Sequence, residues 1–245
     1  MRQDEIWDDE AAQRYDTPGT GMFAAEVLKP AVARLAELAG DGRALEFAIG
    51  TGRVAIPLAA RGVPVTGIEL SRPMVARLRQ KADEAALPVV IGDMATTRAP
   101  GEFSLVYLVY NTISNLLTQA EQVQCFRNAA AHLTTGGRFA IELMVPQLRA
   151  LAPGRDATVS ASAPGYIGVD TYDVVNQLLV SHHFAFGDDR GARVFRSPHR
   201  YIWPAELDLM GKLAGFELES RRADWPGAEL TADSTSHVSV YRLVA

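Results

Sequence analysis

Three carboxylates, a glycine turn and a methionine define the chemistry open to this chain. Glu46 stands near the end of a short apolar run, R-A-L-E-F, and Gly50-Thr51-Gly52 follows at once. An acid in a buried strand costs free energy unless something pairs with it. The glycines let backbone approach a ligand with no side chain between. Glu69 closes a second apolar run, in V-T-G-I-E-L-S. A carboxylate at that place can accept hydrogen bonds from both hydroxyls of a ribose. Gly92-Asp93-Met94 follows a third run. Its acid can accept from the exocyclic amine of adenine, and a methionine packs well against a flat base.

Two ligands compete for this set. Gly50-Thr51-Gly52-Arg53-Val54-Ala55 fits G-x-G-x-x-A, the dinucleotide fingerprint, with Glu69 about twenty positions further on. A nicotinamide oxidoreductase is therefore a real rival. Glu46 counts against it, because a carboxylate beside the turn repels phosphate. That acid suits a ligand carrying an ammonium group.

The elements that must hold these residues alternate. Strands are expected at 44–48, 63–69, 88–91, 103–109 and 138–145, and helices at 22–39, 54–61, 73–85 and 119–133. Ser71 is placed to cap the 73–85 helix, and Pro73 falls in its first turn. Strands separated by helices of this length imply crossovers and a parallel sheet. After Pro146 the rhythm changes. Short β-prone stretches at 158–162, 166–172, 174–184 and 192–203 are separated by Pro164-Gly165 and Gly187-Asp188-Asp189. They read as an antiparallel insertion built from hairpins. A helix at 204–214 and strands at 216–222 and 237–244 close the chain. The expected organisation is one domain: an arm and helix (1–42), a binding core (43–145), a β insertion or lid (146–203) and a C-terminal helix with the last two strands (204–245).

Composition excludes several classes. The net charge of −5 over 245 residues argues against nucleic acid as the main partner. The single cysteine, Cys125, cannot form an internal disulfide or a cysteine-rich zinc site; no metal is expected. No apolar run is long enough to span a bilayer, and the N-terminus, M-R-Q-D-E-I-W-D-D-E, is too acidic for a secretory signal. A cytoplasmic protein without membrane partners is the expectation.

The ordered set Glu46…Gly50-x-Gly52, Glu69, Gly92-Asp93-Met94, the strand at 103–109 and the turn Gly136-Gly137 resembles the class I S-adenosylmethionine-dependent methyltransferases. The closing helix, Gly215-Phe216 and final strand are similar to small-molecule members, the group that includes aminosugar N-methyltransferases and natural-product enzymes. The resemblance implies a Rossmann-like α/β fold. Its seven-stranded, mostly parallel sheet would have an antiparallel last strand and helices on both faces, with the β insertion after strand 5. It also implies roles. Glu46 would hold the amino group of the cofactor's methionine part, with Gly50, Thr51 and Gly52 passing beside it. Glu69 would hold the ribose, and Leu70 and Met74 would flank the adenine. Asp93 would face the adenine amine, with Met94 against the ring. Tyr110 and Asn111 would lie by the methionine part and sulfonium, and Tyr15 would close over the cofactor. Ala48 stands where the family commonly has glycine, and Glu46 where aspartate is also common.

Methyl transfer from a sulfonium needs alignment and water exclusion more than it needs a base. If a base is used, the candidates are His182, His183, His199, Tyr172 and Tyr201, with His183 and Tyr172 foremost. His182 and His183 must point to opposite faces of a strand, so at most one faces a pocket. The insertion is expected to form an acceptor lid lined by Tyr172, His183, Arg200, Tyr201 and Trp203; the competing reading is a dimer interface built on an exposed hairpin edge. Y-N-T-I follows the fourth strand where adenine-amine methylating enzymes of nucleic acid carry N-P-P-Y or D-P-P-Y. A small-molecule acceptor is expected, with the protein a monomer or homodimer. The alternatives are an NAD(P)-dependent oxidoreductase and a non-catalytic S-adenosylmethionine-binding protein.

Overall fold

A computed structural model describes residues 6–187 and 191–244. A seven-stranded sheet forms its centre, in the order β10-β11-β5-β4-β1-β2-β3. The strands are β1 (Ala44–Phe47), β2 (Val65–Glu69), β3 (Val89–Ile91), β4 (Phe103–Leu108), β5 (Leu133–Met144), β10 (Phe216–Arg222) and β11 (Ser236–Leu243). β1 pairs in parallel with β2 and β4, β2 with β3, and β4 with β5; β11 runs antiparallel to both β5 and β10. The carboxyl ends of β1, β2, β3 and β4 therefore lie along one edge, where open α/β sheets bind ligands.

Alternation along the strands divides the core between the two faces. Leu45, Phe47, Val106, Leu108, Phe139 and Ile141 pack with Phe126, Phe216 and Tyr241 on one side. Ala44, Leu105, Tyr107 and Ala140 pack with Leu35, Leu38 and Leu58 on the other. The helices are α1 (Asp9–Tyr15), α2 (Ala25–Ala39), α3 (Ala55–Ala59), α4 (Arg72–Arg79), α5 (Gln119–Ala130) and α6 (Pro204–Leu213). Ser71 Oγ caps α4 by accepting from Met74 N at 3.2 Å, and Thr118 and Glu121 form a capping box on α5.

Several expected boundaries move, and three of them have a clear local reason. The helix expected to reach 85 stops at Arg79, whose guanidinium turns back to the carbonyls of Ala82, Asp83 and Leu87. β5 begins at Leu133, earlier than expected, because T-T-G-G is absorbed into the strand with Gly136 in left-handed backbone. The strand expected from Val174 begins at Leu178. Asp173 Oδ1 accepts from Val175 N and Asn176 N, closing a hairpin turn that ends on Gln177 at positive φ.

The insertion is a separate four-stranded antiparallel sheet: β6 (Ala157–Ala163), β7 (Tyr166–Asp173), β8 (Leu178–Phe186) and β9 (Ala192–Arg200). Of the turn expected at Gly187-Asp188-Asp189, the last two residues lie outside the described residues. At the root of this sheet Tyr172, Leu179 and Tyr201 pack with Met144, Leu148 and Leu151. Among the described residues no helix is long and apolar enough to cross a membrane.

Candidate functional site

The strand ends, the N-terminal arm and one face of the insertion sheet enclose a cavity of about 380 Å³, within the range of small-molecule sites. Gly50, Glu69, Leu70, Met74, Asp93, Met94, Tyr110 and Asn111 line it on the core side, Tyr15 from the arm, and His183 from the insertion. These ten sequence-derived candidates, together with His199 from the insertion, thus share one wall or another of a single cavity.

Local backbone explains why the turn takes this shape. Ala48 adopts φ 52°, the left-handed conformation for which glycine is the easier residue, and Gly50 and Gly52 continue at φ 58° and 82°. A Cβ at Gly50 would meet nothing nearer than Ala48 O at 4.0 Å, so the space over the turn is open; at Gly52 it would meet Ile56 at 3.0 Å. Tyr110 and Asn111 are also left-handed, at φ 54° and 65°. Two such non-glycine residues in succession cost free energy and need support. It comes from β5: Tyr110 N donates to Glu142 Oε2 at 2.8 Å, and Asn111 Oδ1 accepts from Met144 N at 2.6 Å.

Glu69 is buried and doubly held. Its Oε2 accepts from Gly50 N and its Oε1 from Ser71 N, both at 2.8 Å. Each oxygen keeps acceptor capacity for one further donor. Burial pushes its pKa up, and the backbone donors of Ser71, Gly50 and Leu70 work against that shift. Asp93 Oδ1 accepts from Ala95 N at 2.7 Å, which fixes the carboxylate and leaves Oδ2 unengaged.

Glu46 sits behind the wall. It is 3% exposed, and Tyr107 Oη donates to its Oε2 at 2.9 Å. Burial raises its pKa to about 8, against the hydrogen bond from Tyr107 and the charge of Arg53. Thr51 and Gly52 are not at the wall either. Thr51 Oγ1 donates to Asp16 Oδ1 at 2.6 Å, and Asp16 also meets Lys81 Nζ at 2.8 Å. Thr51 therefore fastens the arm to the glycine turn. Ser71 Oγ does the same by donating to the Trp7 carbonyl at 2.5 Å.

The lid assignments need correction. Tyr172, Arg200, Tyr201 and Trp203 are absent from the cavity wall. Tyr172 and Tyr201 face the small core at the sheet root, their rings 6.2 Å apart. Arg200 is buried in a polar knot, donating to Gln122 Oε1 at 2.6 Å, Gln177 Oε1 at 3.0 Å and Glu206 Oε1 at 2.7 Å. Trp203 is 41% exposed where α6 begins. Position along the strands explains the tyrosines: Tyr172 pairs with Leu179 and shares the cavity face, but lies at the root end of the sheet with Tyr201. The face itself is set by the register. Asp170 pairs with Ser181, which pairs with Ser197; His183 pairs with Phe195, and Leu179 with His199. Those side chains share the face that lines the cavity. His182 faces away and meets Thr171 and Arg196.

Several wall residues escaped the sequence reading. Trp7, Met22, Asp170, Ser181, Phe195 and Ser197 carry no motif; only the hairpin register could have flagged the insertion residues among them. The Trp7 ring lies 6.3 Å from Phe195 and 5.7 Å from Tyr15, so the arm closes against the insertion. Burial lowers the pKa of both cavity histidines, His199 to about 4, with the Asp170 charge opposing the shift in each. Tyr166 Oη and His183 Nδ1 are 2.5 Å apart. Among the described residues no group of three or more His, Cys, Asp or Glu is arranged to hold a metal.

The sheet order, the single antiparallel strand and the carboxylates at successive strand ends define a methyltransferase fold, and the chain belongs to the class I S-adenosylmethionine-dependent methyltransferases. Residues 44–137 match the family model described as a methyltransferase domain. The CcbJ methyltransferase from Streptomyces caelestis is 33% identical, with a TM-score of 0.82 over 100% of this chain and 97% of that one. The cypemycin N-terminal methyltransferase of a Streptomyces species is 26% identical, over 96% of each chain. The S-adenosylmethionine-bound amino pentose methyltransferase CalS10 from Micromonospora echinaspora shares the fold, with a TM-score of 0.67 at 20% identity over 89% of this chain and 90% of that one.

Proposed function

We propose that this enzyme transfers a methyl group from S-adenosylmethionine to a small molecule held between the strand ends and the insertion sheet. The observation that carries the reading is Glu69, a buried carboxylate at the cavity wall whose two oxygens are each fixed by one backbone donor. Such a group is preorganised to take two ribose hydroxyls. Leu70 and Met74 flank the base, Asp93 Oδ2 accepts from its amine, and Met94 packs on it. The open space over Gly50 takes the methionine part, beside Tyr110 and Asn111, with Glu46 as the buried counter-charge for its ammonium. Tyr15 and Trp7 cover the opening. Bound there, the sulfonium supplies a methyl group already activated for in-line displacement. The chain's own work is alignment and exclusion of water. His183, neutral and held through Nδ1, is the group placed to accept a proton from the acceptor. We place the enzyme in the EC 2.1.1 class, as a single domain of four successive parts with the insertion as the acceptor lid.

Calorimetric titration with S-adenosylhomocysteine and with NAD tests this. Saturable binding of the former and none of the latter is expected. Tight NAD binding without a response to S-adenosylhomocysteine would overturn it in favour of the oxidoreductase.

A further inference from the structure

The cavity wall carries three carboxylates and no lysine or arginine. Two of the three, Glu69 and Asp93, are accounted for by the ribose and the adenine. The third, Asp170, is not. It is 8% exposed, lies on β7 at the cavity wall, and its carboxylate takes no hydrogen bond from any described residue. Every other buried carboxylate of the site has a donor: Glu46 has Tyr107, and Glu69 has Gly50 and Ser71. Its oxygens open to the cavity instead of being sealed in protein, so a ligand carrying a donor can complete it. No described group around it does so. Ser181 and Ser197 continue its cross-strand row with neutral hydroxyls, and Ser197 Oγ is already 3.0 Å from His199 Nε2. His183 and His199 feel its charge, yet burial keeps both below the ordinary histidine pKa.

We propose that Asp170 is the recognition residue for the methyl acceptor, and that the acceptor is an amine which enters as an ammonium ion and is methylated on nitrogen. This rests on the methyltransferase reading above and adds the acceptor's chemical class to it. An ammonium group satisfies the carboxylate and is favoured by a cavity with no cationic side chain. A neutral alcohol would leave the charge of Asp170 uncompensated, and a carboxylate acceptor would be repelled. The bound nitrogen gives one proton to His183 Nε2. That nitrogen is free to accept when Nδ1–H donates to Tyr166 Oη. The freed lone pair then forms the C–N bond, and the electrons of the broken C–S bond stay on sulfur. Placing the proton acceptor in the same face as the carboxylate lets one site both hold the ammonium and release the nucleophile.

The test uses the full chain saturated with S-adenosylhomocysteine. Saturation-transfer NMR at millimolar probe concentration compares matched sets: cyclohexylamine, cyclohexanol and cyclohexanecarboxylic acid, and piperidine against tetrahydropyran. Binding of the amines in preference to their neutral and acidic partners is expected, with that preference lost in Asp170→Asn. Equal binding by the alcohols, no binding by either amine, or an Asp170→Asn protein that keeps the preference would each overturn the proposal. Asp170→Glu guards against a folding defect: it should keep part of the preference while matching the parent in thermal unfolding. Asp170→Asn weakening S-adenosylmethionine more than S-adenosylhomocysteine, with amine binding intact, would also overturn it, by assigning the carboxylate to the sulfonium. Failure of S-adenosylhomocysteine itself to bind would instead sink the underlying methyltransferase reading.

Discussion

Glu46 and Tyr107 are register partners on adjacent strands, and the tyrosine hydroxyl donates to the carboxylate at 2.9 Å in a place closed to solvent. Burial raises the Glu46 pKa from 4.5 to about 8, so near neutral pH the cofactor-free site holds a proton there. A cofactor ammonium favours the carboxylate form and should expel it. Calorimetry of S-adenosylhomocysteine binding at pH 7 in buffers of different ionisation enthalpy should report release of up to about one proton. Buffer-independent heats would remove Glu46 from the ammonium site.

The same shift has a consequence for stability. An acid whose folded pKa lies above its unfolded one binds more protons when folded. Glu46 therefore stabilises the cofactor-free fold progressively less as pH rises from about 4.5 to about 8. Chemical denaturation across that window should show a decline that Glu46→Gln flattens. The cavity histidine His199 and the buried His237 have the opposite sign, both lowered to about 4 by burial. Their contribution is full above the unfolded value of 6.5 and is lost as pH falls toward 4. Acid unfolding of His199→Gln should begin at lower pH than in the parent.

Glu69→Ala removes the carboxylate that meets Gly50 N and Ser71 N. Loss of buried, charge-assisted hydrogen bonds costs about 1–3 kcal/mol, which is roughly a five- to 150-fold rise in the Kd for S-adenosylhomocysteine. Calorimetric titration reads this directly, and an unchanged affinity would place the ribose elsewhere.

Thr51→Val cuts the bond to Asp16 and loosens the arm at the glycine turn, leaving the ties from Arg53 to Met22 and from Ser71 to Trp7, without touching the cavity wall. The expected loss is about 1 kcal/mol. It should show as faster S-adenosylhomocysteine dissociation in stopped-flow displacement, because the arm closes the site. An unaltered off-rate would mean that the Thr51–Asp16 tie does not gate it.

Arg200 belongs to the fold rather than to acceptor recognition. Arg200→Met takes the donor from Gln122 Oε1 and Gln177 Oε1 and removes the counter-charge of Glu206, which keeps only the neutral donors Gln119 and Gln177; breaking a buried pair costs about 3 kcal/mol. Thermal unfolding should fall substantially, whereas S-adenosylhomocysteine affinity at low temperature should hold. Lost affinity with unchanged stability would return Arg200 to the site.

The core wall of the cavity was legible because its residues are tied to strand ends, and strand ends are marked by local pattern. Apolar runs leading to Glu69 and to Gly92-Asp93 predict the strand ends that line the cavity, whereas Glu46, one residue short of its strand's end, sits behind the wall. The left-handed backbone at Ala48 was half visible: an alanine stood where glycine is easier, but only the dihedral angle shows the cost was accepted. Thr51 misled, since a residue inside a ligand-binding turn can point at the chain that covers it as well as at the ligand.

The sequence by itself determined the alternating α/β order, the glycine turn and three acids suited to a ribose, an amine and an ammonium, because each is encoded within a few consecutive residues. Only the tertiary structure decided which residues of the insertion face the cavity. Alternation in β7, β8 and β9 gives two faces but does not say which is inward. Packing of Tyr172 and Tyr201 against Met144, Leu148 and Leu151 anchors the root of the insertion. The sheet docks with Asp170, His183 and His199 turned to the cavity, and Arg200 is drawn into the knot with Glu206. Contacts between segments so far apart in the chain leave no periodic trace, so no motif could announce them.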